Sequence, residues 1–219
     1  LDRIKEVMEL MARYGVSFRS RRSEEWHIIL KYLRNLSTAL GKPEGKVVHL
    51  DTRAFHPLVI PTRYQKVIKD VLVQLTRNAL VHGIESPEER QARGKPPEGT
   101  ITIASEFTPR RLIIRFRDDG RGISPMVTER ENGLKESFQP GDPDNALPAT
   151  EKLFRPGLTT MSETTPEAGR GIGLTLVKQR VEEAGGTVEV ISQPGQFCEF
   201  RLSFPLPEEP PTTFSPDAQ

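Results

Sequence analysis

The sequence predicts an α/β two-layer sandwich, with paired strands in one layer and amphipathic helices in the other. Three observations predict it. Residues 100–106 alternate through Ile101 and Ile103, and 111–117 through Leu112, Ile114 and Phe116, with a Thr108-Pro109-Arg110 tip between them. A second hairpin pattern runs through 187–192 and 197–204, across Gln193-Pro194-Gly195-Gln196. Helical spacing of apolar residues recurs at about 63–82 and 170–184. The one Gly-x-Gly-x-Gly stretch has no strand before it and no Lys-Ser/Thr pair, so neither a doubly wound dinucleotide fold nor a P-loop is expected.

The elements follow in chain order. Residues 1–14 place Leu1, Ile4, Val7, Met8 and Met11 at helical spacing, and Gly15 ends the pattern. Arg19, Arg21 and Arg22 read as a solvated connector. Ser23 is the expected N-cap of a second helix, with Glu24 and Glu25 in its first turn, where carboxylates offset the helix dipole. That helix carries Trp26, Ile29, Leu30, Leu33, Leu36 and Leu40 on one side and stops near Gly41 and Pro43. The two helices could pair with a second copy of the chain or pack on their own domain.

Residues 47–50 are short and β-branched, hence a strand. A turn-rich stretch with Pro57 and Pro61 leads into the 63–82 helix, and a loop built on Pro87, Gly94, Pro96, Pro97 and Gly99 follows. Residues 123–168 hold six prolines and little periodicity, so they are expected to form a mobile lid. In the 170–184 helix Ile172, Leu176, Val177 and Val181 share a face, and Gly185-Gly186 stops it. Pro194 and Gly195 suit the two central positions of a type II turn, the second of which needs a positive φ. The Pro-rich, acidic tail reads as a linker. The expected organisation is a helical segment over 1–45, one domain over 46–206 and a linker over 207–219.

Composition narrows the function. A chain of 219 residues is about one large domain or one domain with an appendage. Its 31 Lys and Arg against 30 Asp and Glu leave +1, which is no electrostatic footprint for nucleic acid. No apolar run approaches the roughly 20 residues of a membrane span. A single cysteine, Cys198, excludes an internal disulfide and a cysteine zinc site, and suggests a reducing cytoplasm. The first residue is Leu rather than Met, so the chain is expected to be a piece of a longer protein.

Chemistry could live in four places. On the 63–82 helix Val67, Val71, Leu72, Leu75 and Ala79 form an apolar arc, and Gln74, Asn78 and His82 line one margin at i, i+4, i+8. Polar side chains beside a buried face need partners, because an unpaired buried amide costs about 1–3 kcal/mol. Either an internal hydrogen-bond ladder or an oxygen-rich ligand with a hydrated cation would supply them, since an amide oxygen can ligate Mg²⁺. Second, Asp118-Asp119-Gly120-Arg121-Gly122 leaves a strand, where a carboxylate can accept from an exocyclic amine and glycines admit a flat ligand. An ordinary Asp-Gly turn has the same sequence. Third, Gly169-Arg170-Gly171-Ile172-Gly173 opens a helix, where converging backbone N–H groups suit phosphate. Fourth, Leu153-Phe154-Arg155-Pro156-Gly157-Leu158-Thr159-Thr160 lies inside the expected lid.

Taken in order, these four segments resemble the N, G1, F and G2 boxes of histidine-kinase ATP-binding domains. Those domains share the Bergerat fold, a sandwich with a mixed sheet, with DNA gyrase, heat-shock chaperone and mismatch-repair ATPases. Asn78 to Glu85 (Asn-Ala-Leu-Val-His-Gly-Ile-Glu), Pro87-Glu88, Gly94-Lys95-Pro96-Pro97, Phe154-Arg155-Pro156-Gly157 and Gly169-Arg170-Gly171 look specifically like the CheA-type kinases. The resemblance covers about 46–206.

It implies ATP and Mg²⁺ as ligands. Asn78 would bind the metal that bridges the ATP phosphates, and His82 would approach the phosphate end. Asp118 would accept from the adenine amino group, with Gly120 and Gly122 shaping that pocket. Gly169, Arg170, Gly171 and Gly173 would face the phosphates, and Phe154, Thr159 and Thr160 would belong to the closing lid. Two departures stand out. The position four residues before the metal asparagine is Gln74, where histidine kinases carry Glu, Asn, Asp or His, and glutamine is no general base. The phosphoacceptor is also missing: His27 lacks the His-Glu/Asp start and downstream Pro of an acceptor box, and His49 and His56 sit in or beside strand and turn patterns.

The resemblance implies the catalytic domain of a CheA-like two-component autokinase. It would phosphorylate a histidine on a phosphotransfer domain, in another domain or chain, and a response-regulator aspartate would receive the group next. Two alternatives stand beside it. One is a non-catalytic ATP- or ADP-gated interaction module of the same fold. The other is a hydrolytic clamp, which lacks its usual N-box Glu here.

Overall fold

Every second residue of β2 (Gly99–Phe107), β3 (Arg111–Asp118) and β5 (Phe197–Pro205) faces one side of a five-stranded sheet. In the computed structural model, which describes residues 21–123, Phe154 and 173–207, that side carries Ile101, Ile103, Leu112, Ile114, Phe116, Phe200, Leu202 and Phe204, all buried. The sheet order is β1-β2-β3-β5-β4, with β1 spanning Val48–Asp51 and β4 Thr187–Gln193. Strand β1 runs parallel to β2 and the other pairs are antiparallel, so the sheet is mixed. The opposite face is polar: Arg115, Arg117 and Glu199 lie there, and the Arg117 guanidinium stacks 3.6 Å over the Phe197 ring.

Three long helices cover the apolar face. Helix α1 (Arg21–Gly41) buries Trp26, Leu33 and Leu36. Trp26 meets Phe55 edge-on at 5.5 Å, and Lys69 reaches over the indole at 5.0 Å while pairing with Glu25 at 2.7 Å. Helix α1 therefore joins the same core as the sheet. Helix α2 (Thr62–Asn78) contributes Tyr64, Ile68, Val71, Leu72 and Leu75, and α4 (Gly173–Glu183) contributes Val177 and Val181. An Arg180–Asp70 ion pair ties α4 to α2. Burial of these side chains, each worth about 1.5–3 kcal/mol, is what holds the two layers together.

Turn chemistry agrees with the expectations at both ends of the second hairpin. Gly195 has φ 75° and Gln196 N–H donates to Gln193 O at 3.0 Å, as a type II turn requires. Gly185, also at φ 75°, closes α4, with its N–H on Glu182 O and that of Gly186 on Val181 O.

Two local expectations are corrected. Helix α1 already includes Arg21, so Ser23 stands inside its first turn rather than ahead of it as the cap. The stretch around Pro87, expected as loop, forms a short helix α3 (Pro87–Ala92). Ser86 accepts from Glu89 N–H while the Glu89 carboxylate accepts from Ser86 N–H, and this reciprocal capping box starts the helix. Helix 1–14, most of the lid, the tail, Thr159, Thr160, Gly169, Arg170 and Gly171 lie outside the described residues. Among the described residues no helix is long and apolar enough to cross a membrane.

Candidate functional site

The end of α2 does not close as an ordinary helix. Residues Ala79–Gly83 form a π-turn, with Ile84 N–H reaching back five residues to Ala79 O at 2.7 Å. The buried Lys46 ammonium donates to Leu80 O at 3.3 Å. The wider turn leaves Gly83 O free to accept from Arg121 N–H at 2.8 Å. The N-box helix is thereby joined directly to the segment leaving β3.

Asp118 owes its position to strand alternation. It follows Leu112, Ile114 and Phe116 at two-residue intervals, so β3 turns its carboxylate toward the helices, 3 % exposed. Its neighbours across the sheet are Ile101 and the buried Cys198, which no sequence motif marks. Gly120 N–H donates to Asp118 Oδ1 at 3.1 Å. Burial pushes the carboxyl up to about 7; the Gly120 bond opposes this, Asp119 and Glu85 add to it, and Lys95 opposes it. A carboxylate so desolvated is an unusual choice for structure and an ordinary one for a ligand site.

Gly83 and Gly120 are packed where a side chain has no room. A Cβ on Gly120 would sit 2.2 Å from Gly83 O, and one on Gly83 would sit 3.1 Å from Asp118 Oδ1. Gly122, at φ 62°, passes the β4–β5 hairpin so closely that a Cβ would meet Gln193 O at 2.4 Å. Gly195 N–H donates to Arg121 O at 2.7 Å there, and Ile123 N–H to Ser192 Oγ at 2.8 Å. The bare backbone at 120 and 122 thus serves chain crossings that fix the rim beside Asp118.

The third glycine of the Gly-x-Gly-x-Gly stretch meets the first motif. A Cβ on Gly173 would stand 2.8 Å from Gln74 Nε2 and 3.6 Å from Asn78 Oδ1. Gln74 Nε2 donates to Asn78 Oδ1 at 3.3 Å, both side chains half-buried, so part of the predicted polar margin is an internal ladder. His82 is exposed on the π-turn. Phe154 docks on α4: its carbonyl accepts from Thr175 Oγ1 at 3.0 Å, and the Lys178 ammonium lies 5.4 Å from its ring centroid. Among the described residues no three His, Cys, Asp or Glu side chains converge as a metal-ligand cluster. An amide oxygen such as that of Asn78 is a ligand type that Mg²⁺ accepts alongside phosphate and water.

Sequence reasoning missed a buried ionic cluster behind Asp118. Arg90 and Glu85 are both 1 % exposed. Arg90 grips the Asp119 carboxylate with Nη1 at 3.1 Å and Nη2 at 2.9 Å, and also reaches Glu85 at 3.4 Å and Pro96 O at 2.7 Å. Burial pushes Glu85 upward, yet its backbone hydrogen bond and the Lys95 ammonium hold it below the ordinary carboxylate range. The second aspartate of the pair thus anchors the loop. The Ser86-x-x-Glu89 box could have signalled α3; the Glu85–Arg90 pairing left no periodic trace. Arg90→Met, which leaves Asp119 without its cation and Glu85 with Lys95 alone, is expected to destabilise the fold by about 3–5 kcal/mol in urea unfolding. A loss below about 1 kcal/mol would show the cluster to be dispensable.

Comparison with known proteins adds the following. The family described as "Histidine kinase-, DNA gyrase B-, and HSP90-like ATPase" matches residues 65–208. The chemotaxis protein CheA of Cereibacter sphaeroides is 38% identical over 209 residues, covering 94% of this chain and 30% of that protein. CheA of Rhizobium meliloti (strain 1021) is 28% identical over 204 residues, covering 93% of this chain and 27% of that protein. The chain thus spans less than a third of the length of these relatives. In fold it is similar to full-length ShkA, solved in complex with AMPPNP, with TM-score 0.52 and 17% identity over 80% of this chain and 29% of that one.

Proposed function

Since the chain belongs to the histidine kinase-, DNA gyrase B- and HSP90-like ATPase family, we propose that it is the ATP-binding catalytic unit of a CheA-like histidine autokinase. One observation carries the reading. Asn78, Asp118 and Gly173, far apart in the chain, are linked through α2 and its π-turn, with Gly173 against Asn78 at one end and Asp118 against Gly83 at the other. An amide for metal, an acid for a base amine and glycine backbone for phosphate then belong to one site.

In this reading Asp118 accepts from the adenine amino group, and Gly120 and Gly122 hold the rim beside it. Asn78 would hold Mg²⁺ through its amide oxygen, and the cation would supply neutralisation of the phosphate charge. Gly169, Arg170, Gly171 and Gly173 face the phosphates, His82 approaches their outer end, and Phe154, Thr159 and Thr160 belong to a lid that excludes water. A bond forms between an acceptor imidazole nitrogen and the γ-phosphorus as the bond to the β,γ-bridging oxygen breaks. ADP leaves with that electron pair. Gln74 cannot take a proton, so the one shed by the imidazole passes to solvent or to a group on the acceptor domain.

The acceptor is a histidine-phosphotransfer domain, and an aspartate of a response regulator receives the group next. The setting is the cytoplasm. The test incubates the chain with γ-labelled ATP, Mg²⁺ and the phosphotransfer domain of a CheA. Acid-labile label on the domain's histidine is the expected result. Nucleotide binding without any label would instead favour a nucleotide-gated interaction module, as Gln74 would suit.

A further inference from the structure

We propose that Lys95 is a positioning residue for the base-reading carboxylate: its ammonium holds two consecutive peptide groups whose N–H bonds fix Asp118 and the adjoining π-turn. The inference rests on the reading of Asp118 as the adenine acceptor. Lys95 Nζ donates to Asp119 O at 2.9 Å, to Gly120 O at 2.7 Å and to Glu85 Oε1 at 3.0 Å. Three acceptors converge on the three protons of an ammonium, and the Lys95 side chain is only 14% exposed.

The two carbonyls belong to rigid planar units whose N–H points the other way. The unit that begins with Asp119 O ends in Gly120 N–H, which donates to Asp118 Oδ1 at 3.1 Å. The unit that begins with Gly120 O ends in Arg121 N–H, which donates to Gly83 O at 2.8 Å. The ammonium thus bears on the rotation of both peptides, sharing Asp119 O with Arg90 Nη1 at 3.2 Å. It commits one carboxylate oxygen of Asp118 to the protein, leaving the other for a ligand. Lys95 is itself delivered by backbone geometry: Gly94 at φ 71° reverses the chain after α3, and Lys95 N–H returns to Arg90 O at 2.9 Å. Arg90 holds the neighbouring Asp119 carboxylate, and its Nη1 also donates to Asp119 O at 3.2 Å, so the two cations share that carbonyl while Lys95 reaches on to Gly120 O at 2.7 Å.

The experiment measures, by calorimetry on this chain, the affinity for ADP and for purine riboside 5′-diphosphate, which lacks the exocyclic amine. The parent is expected to prefer ADP; equal affinities would overturn the adenine reading of Asp118 itself. Lys95→Met is expected to lower ADP affinity about tenfold and to change the affinity for the amine-free diphosphate less than about twofold. A parent that prefers ADP with a Lys95→Met variant whose preference is unchanged, whether both affinities fall together or neither does, would overturn the role of Lys95. Should Lys95→Met fail to fold, Lys95→Arg keeps the charge but replaces three converging protons by a planar fork. It is expected to reduce the ADP preference as well, and an unreduced preference would count equally against the inference.

Discussion

Asp118→Ala is expected to lower the affinity for ADP by about a hundredfold or more, while Asp118→Asn makes the empty domain more stable than the parent above pH 7. Alanine removes the acceptor that the proposed reading assigns to the adenine amine and leaves Gly120 N–H without its partner. Asparagine keeps an oxygen for Gly120 N–H and removes only the charge. Burial holds the Asp118 carboxyl protonated up to about 7 in the folded chain. An unfolded aspartate ionises near pH 4. The folded state therefore binds the extra proton between those values, and stability falls as pH rises through that window. The penalty is absent below about pH 4 and complete above about pH 7, on the order of a few kcal/mol. Thermal unfolding of parent and Asp118→Asn at pH 5 and pH 8 reads it directly. The gap in favour of asparagine should widen at pH 8, and a gap that is constant or reversed would place the carboxylate in an environment other than the one seen here.

Asn78→Ala is expected to abolish the Mg²⁺-dependent part of ATP binding and to slow phosphoryl transfer by about a hundredfold or more, with the fold intact. The side chain is half-buried and its described contact within the protein is the 3.3 Å bond from Gln74. Losing one such bond costs about 1 kcal/mol, so the thermal midpoint should move by only a few degrees. Titrations of ATP with Mg²⁺ and with a chelator separate the effects. The parent should bind more tightly with Mg²⁺; the variant should bind equally in both. A variant that keeps the Mg²⁺ enhancement would remove Asn78 from the metal.

These outcomes differ in kind because the two residues sit at opposite ends of the π-turn. Asp118 is at the floor of the sheet, where desolvation dominates, and Asn78 is at the helix margin, where an amide keeps one face toward solvent. The glycine contacts make the contrast mechanical. Gly83 packs against the acid and Gly173 against the amide, so a shift of α2 would disturb both ends at once.

Much of this was legible in the chain itself. Period-two alternation fixed which residues of β2, β3 and β5 face the core, and carrying it one step past Phe116 puts Asp118 inside. Helical spacing put Gln74 and Asn78 on a common margin, and Pro194-Gly195 specified the hairpin turn. Each of these depends on near neighbours along the backbone, whose geometry repeats and so leaves a pattern. The π-turn, the clearance that Gly120 needs from Gly83, the passage of Gly122 under the β4–β5 hairpin, and the division of labour between Asp118 and Asp119 leave no such pattern. They arise where segments distant in sequence touch, and a carboxylate's role there is set by which cation the fold brings to it. Asp119 faces Arg90 and is neutralised, whereas Asp118 faces the core with one backbone donor. Tertiary packing alone tied one acid to a buried cation and left the other buried with a single backbone donor.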